Sequence, residues 1–153
     1  MTAKEVLDLL KKGLSLAKRT KYKEAIAHYD KALSLDPRYA ETLFLRASAY
    51  IETGRYREAI QDCDRALAID QNYADAWSKK ALALFYLEKY EDAVLAGTRA
   101  TMLNGNDASA WYIKAVCLDE LGRADEAQEA YGKSLELEII LDMQAEAKRM
   151  RGK

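Results

Sequence analysis

Side chains that could carry out catalysis are scarce in this chain. His28 is the single histidine, and the helical pattern around it turns it outward, where a solvated histidine is far more common than a general base. Cys63 and Cys117 fit neither a metal-binding spacing nor a disulfide framework. The sequence has no Ser/His/Asp arrangement and no glycine-rich phosphate loop. It therefore predicts a protein that is not an enzyme and that holds no metal and no cofactor.

The charge balance argues against nucleic acid and membranes as partners. Among the 153 residues, 24 are Lys or Arg and 25 are Asp or Glu, so the net charge is −1. A chain this close to neutral generates no overall field that would attract nucleic acid or an anionic membrane. No segment is apolar for long enough to span a bilayer, and the N-terminal residues lack the apolar core of a signal peptide. We therefore expect a cytoplasmic protein.

The sequence repeats itself every 34 residues. The segment "KYKEAIAHYDKALSLDP" begins at Lys21, and related segments begin at Arg55, Lys89 and Arg123. We interpret residues 1–153 as a single domain. It consists of repeats 6–39, 40–73, 74–107 and 108–141, followed by a C-terminal helical extension over residues 142–153.

Each repeat contains two segments with helical periodicity. In the first segment a large apolar residue, a small residue and a second large residue recur at offsets of four and seven: Leu9, Leu43, Trp77 and Trp111; Gly13, Ala47, Ala81 and Ala115; Leu16, Tyr50, Leu84 and Leu118. In the second segment alanine recurs: Ala25, Ala59, Ala93 and Ala127. Such spacing puts the apolar residues on one helix face, and small residues let helices approach closely. Each repeat is thus a predicted helix hairpin that buries its faces only by stacking on its neighbours.

This pattern resembles the tetratricopeptide repeat (TPR) family over residues 6–141. The period, the early Leu or Trp, the alanine of the second helix and the Asp36-Pro37 ending all carry the resemblance. It implies an all-α fold, a right-handed superhelix of four hairpins whose first helices line a concave groove. It also implies a scaffold that binds a protein or peptide. The basic row Lys12, Arg46, Lys80 and Lys114 resembles repeats of archaeal and bacterial chains.

That basic row has two interpretations. It could bind an acidic partner. We favour a structural role, in which the long stems cover apolar surface and the charged heads reach water or a neighbouring carboxylate. At the N-terminus, Thr2 and Glu5 have capping-box spacing, which predicts that the first helix begins near Ala3.

Candidate peptide-binding residues come from helical geometry combined with the resemblance. They are Phe44, Leu45, Ser48, Lys79, Leu82, Phe85, Tyr112, Ile113 and Val116. We expect the apolar members to form a second set, separate from the core, that binds an apolar peptide or an amphipathic helix. Acidic residues lie at the rim. Only Lys18 and Lys79 supply positive charge, which argues against nucleic acid in the groove.

The resemblance also suggests a specific partner that the residues exclude. Chaperone-adaptor TPR proteins hold the C-terminal carboxylates of a partner in a clamp of Lys, Asn and Arg. The matching positions in the first three repeats are Leu10, Leu14, Leu45, Asp75 and Lys79, and in the last three Phe44, Ser48, Lys79, Ser109 and Ile113. Lys79 alone cannot hold two carboxylates in fixed geometry. We therefore predict no binding of a chaperone tail.

The end of the fourth repeat departs from the other three. Glu138-Ile139 occupies the place of Asp36-Pro37, and neither residue stops a helix. The last helix is therefore predicted to continue well past Leu137. It would carry the candidate oligomer interface Ile139, Ile140, Leu141 and Met143.

Two arrangements fit this extension. We favour a cap that folds back on the last repeat, because the ends of a solenoid need shielding. The other arrangement is a projecting helix that pairs with a second chain in a homodimer. The alternative function is accordingly a self-assembling scaffold that uses the groove or the C-terminal helix as its own interface.

Overall fold

The computed structural model describes residues 3–153, which form eight α-helices and no strands. The helices are α1 Ala3–Lys18, α2 Tyr22–Leu35, α3 Ala40–Glu52, α4 Tyr56–Ile69, α5 Ala74–Tyr86, α6 Tyr90–Leu103, α7 Ala108–Glu120 and α8 Ala124–Arg151. The predicted all-α solenoid of four hairpins is confirmed. Helix α1 begins at Ala3 as expected, while the predicted cap at Thr2 lies outside the described residues.

Packing between hairpins distinguishes two layers of helices. Each helix contacts the next one along the chain, and the first helices of successive hairpins also contact one another, α1 with α3, α3 with α5, and α5 with α7. Within residues 3–153 the second helices α2, α4, α6 and α8 show no such contacts among themselves. The first helices are therefore closer together and form the inner side of the array. We call their shared exposed surface the inner wall.

Two kinds of turn set the path of the chain. Between hairpins, the side chains of Asp36, Asp70 and Asn104 each accept a hydrogen bond from the backbone N–H two residues on, at 3.0–3.2 Å. These Asx turns end the second helices. Within hairpins, the turn residue adopts a left-handed conformation, and it is Gly54 or Gly122 in two hairpins but Thr20 or Glu88 in the others.

The recurring small residues lie where the helices meet. Ala25, Ala59 and Ala93 are fully buried, as are Ala47, Ala81 and Ala115 of the first helices. Glycine takes the same position in α1 because a Cβ on Gly13 would lie 2.5 Å from Cε1 of the buried Tyr29. The helix spacing is thus set by the small side chains that the repeat pattern identified.

Helix α8 is twice the length of the other second helices. It runs as one helix to Arg151, about 42 Å at 1.5 Å per residue. The prediction that it continues past Leu137 is confirmed. The favoured cap is wrong, because α8 does not fold back. Among the helices of residues 3–153 it packs only against α7, and Ile139, Leu141 and Met143 are half or more exposed. The physical reason is that residues 138–141 contain no helix-breaking residue at which the chain could turn.

Candidate functional site

The nine candidate binding residues lie on three helices that contact in succession. Helix α3 carries Phe44, Leu45 and Ser48; α5 carries Lys79, Leu82 and Phe85; α7 carries Tyr112, Ile113 and Val116. The structure divides them into a cavity, an aromatic patch, core residues and residues at the C-terminal end of the array.

A cavity of about 250 Å³ lies between α1 and α3 on the inner wall. Leu14 and Leu45 line it from the two helices, and the ring of Tyr22 lines it from the start of α2. Ser48 also lines it, but its hydroxyl donates to the carbonyl oxygen of Phe44 at 3.1 Å. Lys18 and Glu52, both exposed, lie at its edge. The cavity can take a large apolar side chain of a guest between two lining leucines.

An aromatic patch lies one hairpin further along the array and is formed by Tyr56, Phe85, Tyr86 and Tyr90. Tyr86 stacks on Tyr56 with ring centroids 4.8 Å apart, and its side chain is 48% exposed. Phe85 contacts Tyr86 at 5.4 Å and Tyr90 at 6.2 Å. A stacked and half-exposed tyrosine offers a rigid apolar face with a polar tip, as binding surfaces commonly do.

Of the four patch residues the candidate set contains Phe85 but not Tyr56, Tyr86 or Tyr90. Tyr22, Tyr56 and Tyr90 are each the first residue of a second helix, and they recur with the period of the repeat. That recurrence was the signal that could have identified them. Since Tyr22 lines the cavity and the other two belong to the patch, these three tyrosines form the edge of the wall near the hairpin turns.

The expectation of an apolar set separate from the core needs correction. Ile113 is buried and belongs to the core cluster around α7, so it is removed from the contact surface. Leu82 and Phe85 are half-buried and pack against the same cluster. Close approach of the first helices causes this, because side chains on the wall then reach across to the neighbouring helix. The wall is thus the exposed edge of the core.

Two aromatic candidates contact residues outside the patch. Phe44 contacts Tyr73, the residue preceding α5, with centroids 5.4 Å apart. Tyr112 is 54% exposed, and its ring meets that of Tyr131 on α8 at 5.8 Å. Tyr112 therefore lies at the C-terminal end of the array. Val116, four residues further along α7, is half-buried.

The charges that the sequence assigns to the wall are mostly acidic. The first helices carry five exposed carboxylates at positions assigned to the groove, compared with two lysines. The carboxylates are those of Glu41, Glu52, Asp75, Asp119 and Glu120. Lys18 is exposed and Lys79 is half-buried. A guest with positively charged flanks would complement this surface.

Three of the four residues in the basic row of the first helices make structural contacts. Arg46 donates to Asp62 through Nε and Nη2, both at 2.7 Å, and to Asp30 through Nη1 at 2.8 Å. The hydrogen bond with Asp62 raises the pKa of Arg46 above its ordinary value. Lys80 Nζ lies 2.7 Å from the carboxylate of Asp64 and near the Trp77 ring. Lys114 Nζ lies 5.2 Å from the centre of the Trp111 ring, so the structure supports the structural interpretation for these three residues, while Lys12 is exposed.

Cys63 and Cys117, two of the side chains with catalytic potential, are buried, and His28 contacts the backbone of its own helix. Burial raises the pKa of the Cys63 thiol to about 12 and that of Cys117 to about 11, which disfavours the reactive thiolate. His28 Nδ1 lies 2.9 Å from the carbonyl oxygen of Glu24. Over residues 3–153, no cluster of three or more His, Cys, Asp or Glu side chains is arranged to hold a metal. Over the same range, no helix combines the length and apolar character needed to cross a membrane.

The chain is similar to known proteins in both sequence and structure. The family model described as Tetratricopeptide repeat matches residues 10–74 and 78–149. A crystal structure of MamA is 30% identical, with a TM-score of 0.76, covering 82% of this chain and 73% of that one. A structure described as "First TPR of Spaghetti (RPAP3) bound to HSP90 peptide SRMEEVD" is 31% identical, with a TM-score of 0.77 and coverage of 80% and 97%.

A third solved structure, the Sgt2 TPR domain from Aspergillus fumigatus, is 28% identical. Its TM-score is 0.75, and the match covers 79% of this chain and 82% of that one. Among curated proteins, none matches this sequence.

Proposed function

Because the chain belongs to the tetratricopeptide repeat family, we propose that it is a non-enzymatic scaffold that binds a basic amphipathic helix on its inner wall. The family and the similar structures indicate a protein–protein interaction scaffold. One observation carries the finer proposal. An open cavity and a half-exposed aromatic patch lie in successive hairpins of the array, and the charges that the sequence assigns to the same wall are mostly acidic.

The apolar part of the guest is suited to two sites. One large side chain enters the cavity between Leu14 and Leu45, and a second packs on the face of Tyr86. Full burial of one such side chain contributes about 1.5–3 kcal/mol. These two anchors would contribute about 3–6 kcal/mol before ordering costs, so a micromolar complex, about −8 kcal/mol, requires further contacts along the wall. An amphipathic helix presents several apolar side chains along one face and could supply such anchors.

The polar part of the guest is suited to the acidic wall. The peptide in the RPAP3 structure, SRMEEVD, ends in acidic residues. In this chain the clamp positions offer Lys79 alone, while Asp75 lies exposed at one of the others. We therefore propose that such an acidic tail is not the ligand, since it would meet like charge.

The test uses two synthetic peptides of about 18 residues with identical leucine spacing, one with lysine and one with glutamate at the polar positions. Fluorescence anisotropy of the labelled peptides should show micromolar binding of the Leu/Lys peptide and much weaker binding of the Leu/Glu peptide. Leu14→Glu and Tyr86→Glu should each weaken the Leu/Lys complex by about tenfold or more.

Met102→Glu is the matched control, because Met102 is exposed on α6, away from the wall. It should leave the affinity unchanged. Equal binding of the two peptides, or a Tyr86→Glu protein that binds as the parent does, would refute the proposal.

Self-assembly is the second candidate function. It is favoured by the apolar side chains that α8 leaves exposed, among them Leu135, Ile139 and Met143.

A further inference from the structure

The repeat allows one position to be compared in all four hairpins. Leu33, Leu67 and Thr101 occupy the same place on successive second helices, and each is buried, with 6–7% of its surface exposed. Leu135 occupies that place in α8 and is 58% exposed. The difference arises because each of the first three hairpins is covered by the next one along the chain, whereas nothing within residues 3–153 covers the fourth.

Two aromatic residues of the fourth hairpin are also more exposed than their counterparts in the first hairpin. Tyr112 corresponds to Leu10, which is buried, and Tyr131 corresponds to Tyr29, which is also buried. Tyr112 is more than half exposed, and Tyr131 is partly exposed beside it. We call this surface, formed by Tyr112, Tyr131 and Leu135, the open end. The open end carries side chains like those at the interfaces between hairpins, but within residues 3–153 no further hairpin packs on them.

No part of residues 3–153 covers the open end. Helix α2 ends at Leu35, and the chain then turns into α3. At the corresponding place Leu137 is inside α8, which continues for about 21 Å over residues 138–151. This projecting segment adds the exposed residues Ile139, Ile140, Leu141 and Met143. Leu135, Ile139 and Met143 are spaced by four, so the apolar surface of the open end continues along the projecting segment.

The opposite end of the array cannot serve as the cover. Where internal first helices present Ala49, Ala83 or Cys117, all buried, α1 presents the exposed Ser15. Where they present Thr42, Ala76 or Ala110, also buried, α1 presents the exposed Asp8, and Lys11 takes the place of the buried Ile113. Stacking this face on the open end of another copy would bury charge against apolar side chains. The polar N-terminal face therefore opposes head-to-tail assembly.

We propose that the open end and the projecting segment bind a second copy of this chain, tail to tail, with the two α8 helices antiparallel. A contact with two-fold symmetry buries the same apolar surface on both copies, so neither copy keeps an exposed part of that surface. The charges on α8 favour the antiparallel direction. Its early part is acidic at Asp125, Glu126 and Glu129, and its last turns are basic at Lys148, Arg149 and Arg151. Antiparallel helices set these groups opposite each other, and parallel helices would set like charges together.

The first arm of the test measures mass by light scattering after size exclusion, on the full chain at about 100 μM. The mass of a dimer is expected. Leu135→Glu with Ile139→Glu should give a monomer whose circular dichroism shows the same helix content. Met102→Glu, an exposed methionine on α6, should remain dimeric. A monomeric parent chain, or a double variant that stays dimeric, would overturn the proposal.

The second arm tests direction by charge reversal within one chain. Arg149→Glu with Arg151→Glu should weaken the dimer by about tenfold, because these residues then meet Asp125 and Glu129 of the other copy. Adding Asp125→Lys and Glu129→Lys to the same chain should restore it. A dimer unaffected by the arginine changes would refute the antiparallel arrangement. Neither arm alters Leu14 or Tyr86, so the outcome for dimer formation is independent of the outcome for peptide binding on the inner wall.

Discussion

Arg46 on α3 and Asp62 on α4 form a two-pronged ion pair, with Nε and Nη2 each 2.7 Å from a carboxylate oxygen. The Asp62 side chain is 4% exposed. The same guanidinium reaches Asp30 on α2 at 2.8 Å, so one side chain joins three helices of two adjacent hairpins. The contact fixes the stacking of the first hairpin on the second.

Replacing Arg46 should be among the most destabilising polar changes in the chain. Arg46→Met leaves the buried Asp62 with only Arg65, whose Nη1 lies 3.9 Å away, and loss of a buried partner typically costs about 3–5 kcal/mol. Urea unfolding followed by circular dichroism measures the loss. Adding Asp62→Leu should recover most of the stability, because no unpaired buried charge remains. Arg123→Met, which breaks the exposed pair with Glu126, should change stability little. Equal losses from Arg46→Met and Arg123→Met would contradict this account.

Gly13→Ala should destabilise the protein, although alanine holds this position in the other three hairpins. Alanine is the better helix former by about 1 kcal/mol, but its Cβ would meet the buried Tyr29 ring at 2.5–3.1 Å. We expect a net loss of about 1–3 kcal/mol from overpacking.

The sign of that effect should reverse when the ring is removed. In a Tyr29→Cys background, which copies the Ala47–Cys63 combination of the second hairpin, Gly13→Ala should be stabilising. The unfolding free energies of the four proteins in the cycle measure the coupling. Stabilisation of the parent chain by Gly13→Ala alone would show that Tyr29 moves aside freely.

The sequence predicted the hairpins because the same pattern marks the helix boundaries in each of the four repeats. It identified the small residues that set helix spacing and the continuation of α8 past Leu137. It did not reveal that Asp62 would be buried beneath Arg46. The two residues are on different helices, 16 positions apart, and no single helix face brings them together.

The inner wall was predicted less well than the fold, for a related reason. Helical periodicity assigns a face to a residue but not a depth. Ile113 and Tyr112 are neighbours on α7, yet one is in the core and the other is exposed beside α8. Depth depends on how closely the next hairpin packs. Within residues 3–153 no further hairpin packs on the fourth, so Tyr112 stays exposed.

Raising the pH should weaken the fold through the buried thiols. The pKa of Cys63 is about 12 and that of Cys117 about 11 in the folded chain, both raised by burial from an ordinary value near 9. As the pH rises past about 9, the unfolded chain loses these protons first, so the folded state binds more protons and stability falls.

Urea midpoints between about pH 8 and pH 10 measure this effect. Cys63→Ala with Cys117→Ala should flatten the decline over that range. An equally steep decline in the double variant would mean that other groups cause it. In the native protein at the lower pH, both thiols should resist alkylation until urea unfolds the chain, because neither is exposed.

Binding on the inner wall is tested most directly by hydrogen exchange of the full chain with and without the Leu/Lys peptide. Mass spectrometry of peptic fragments would locate the protection. We predict slower exchange in α1, α3 and α5, in the fragments that contain Leu14, Ser48 and Tyr86. Protection confined to α2, α4 and α6, or to α8 alone, would place the guest elsewhere and contradict the proposed function.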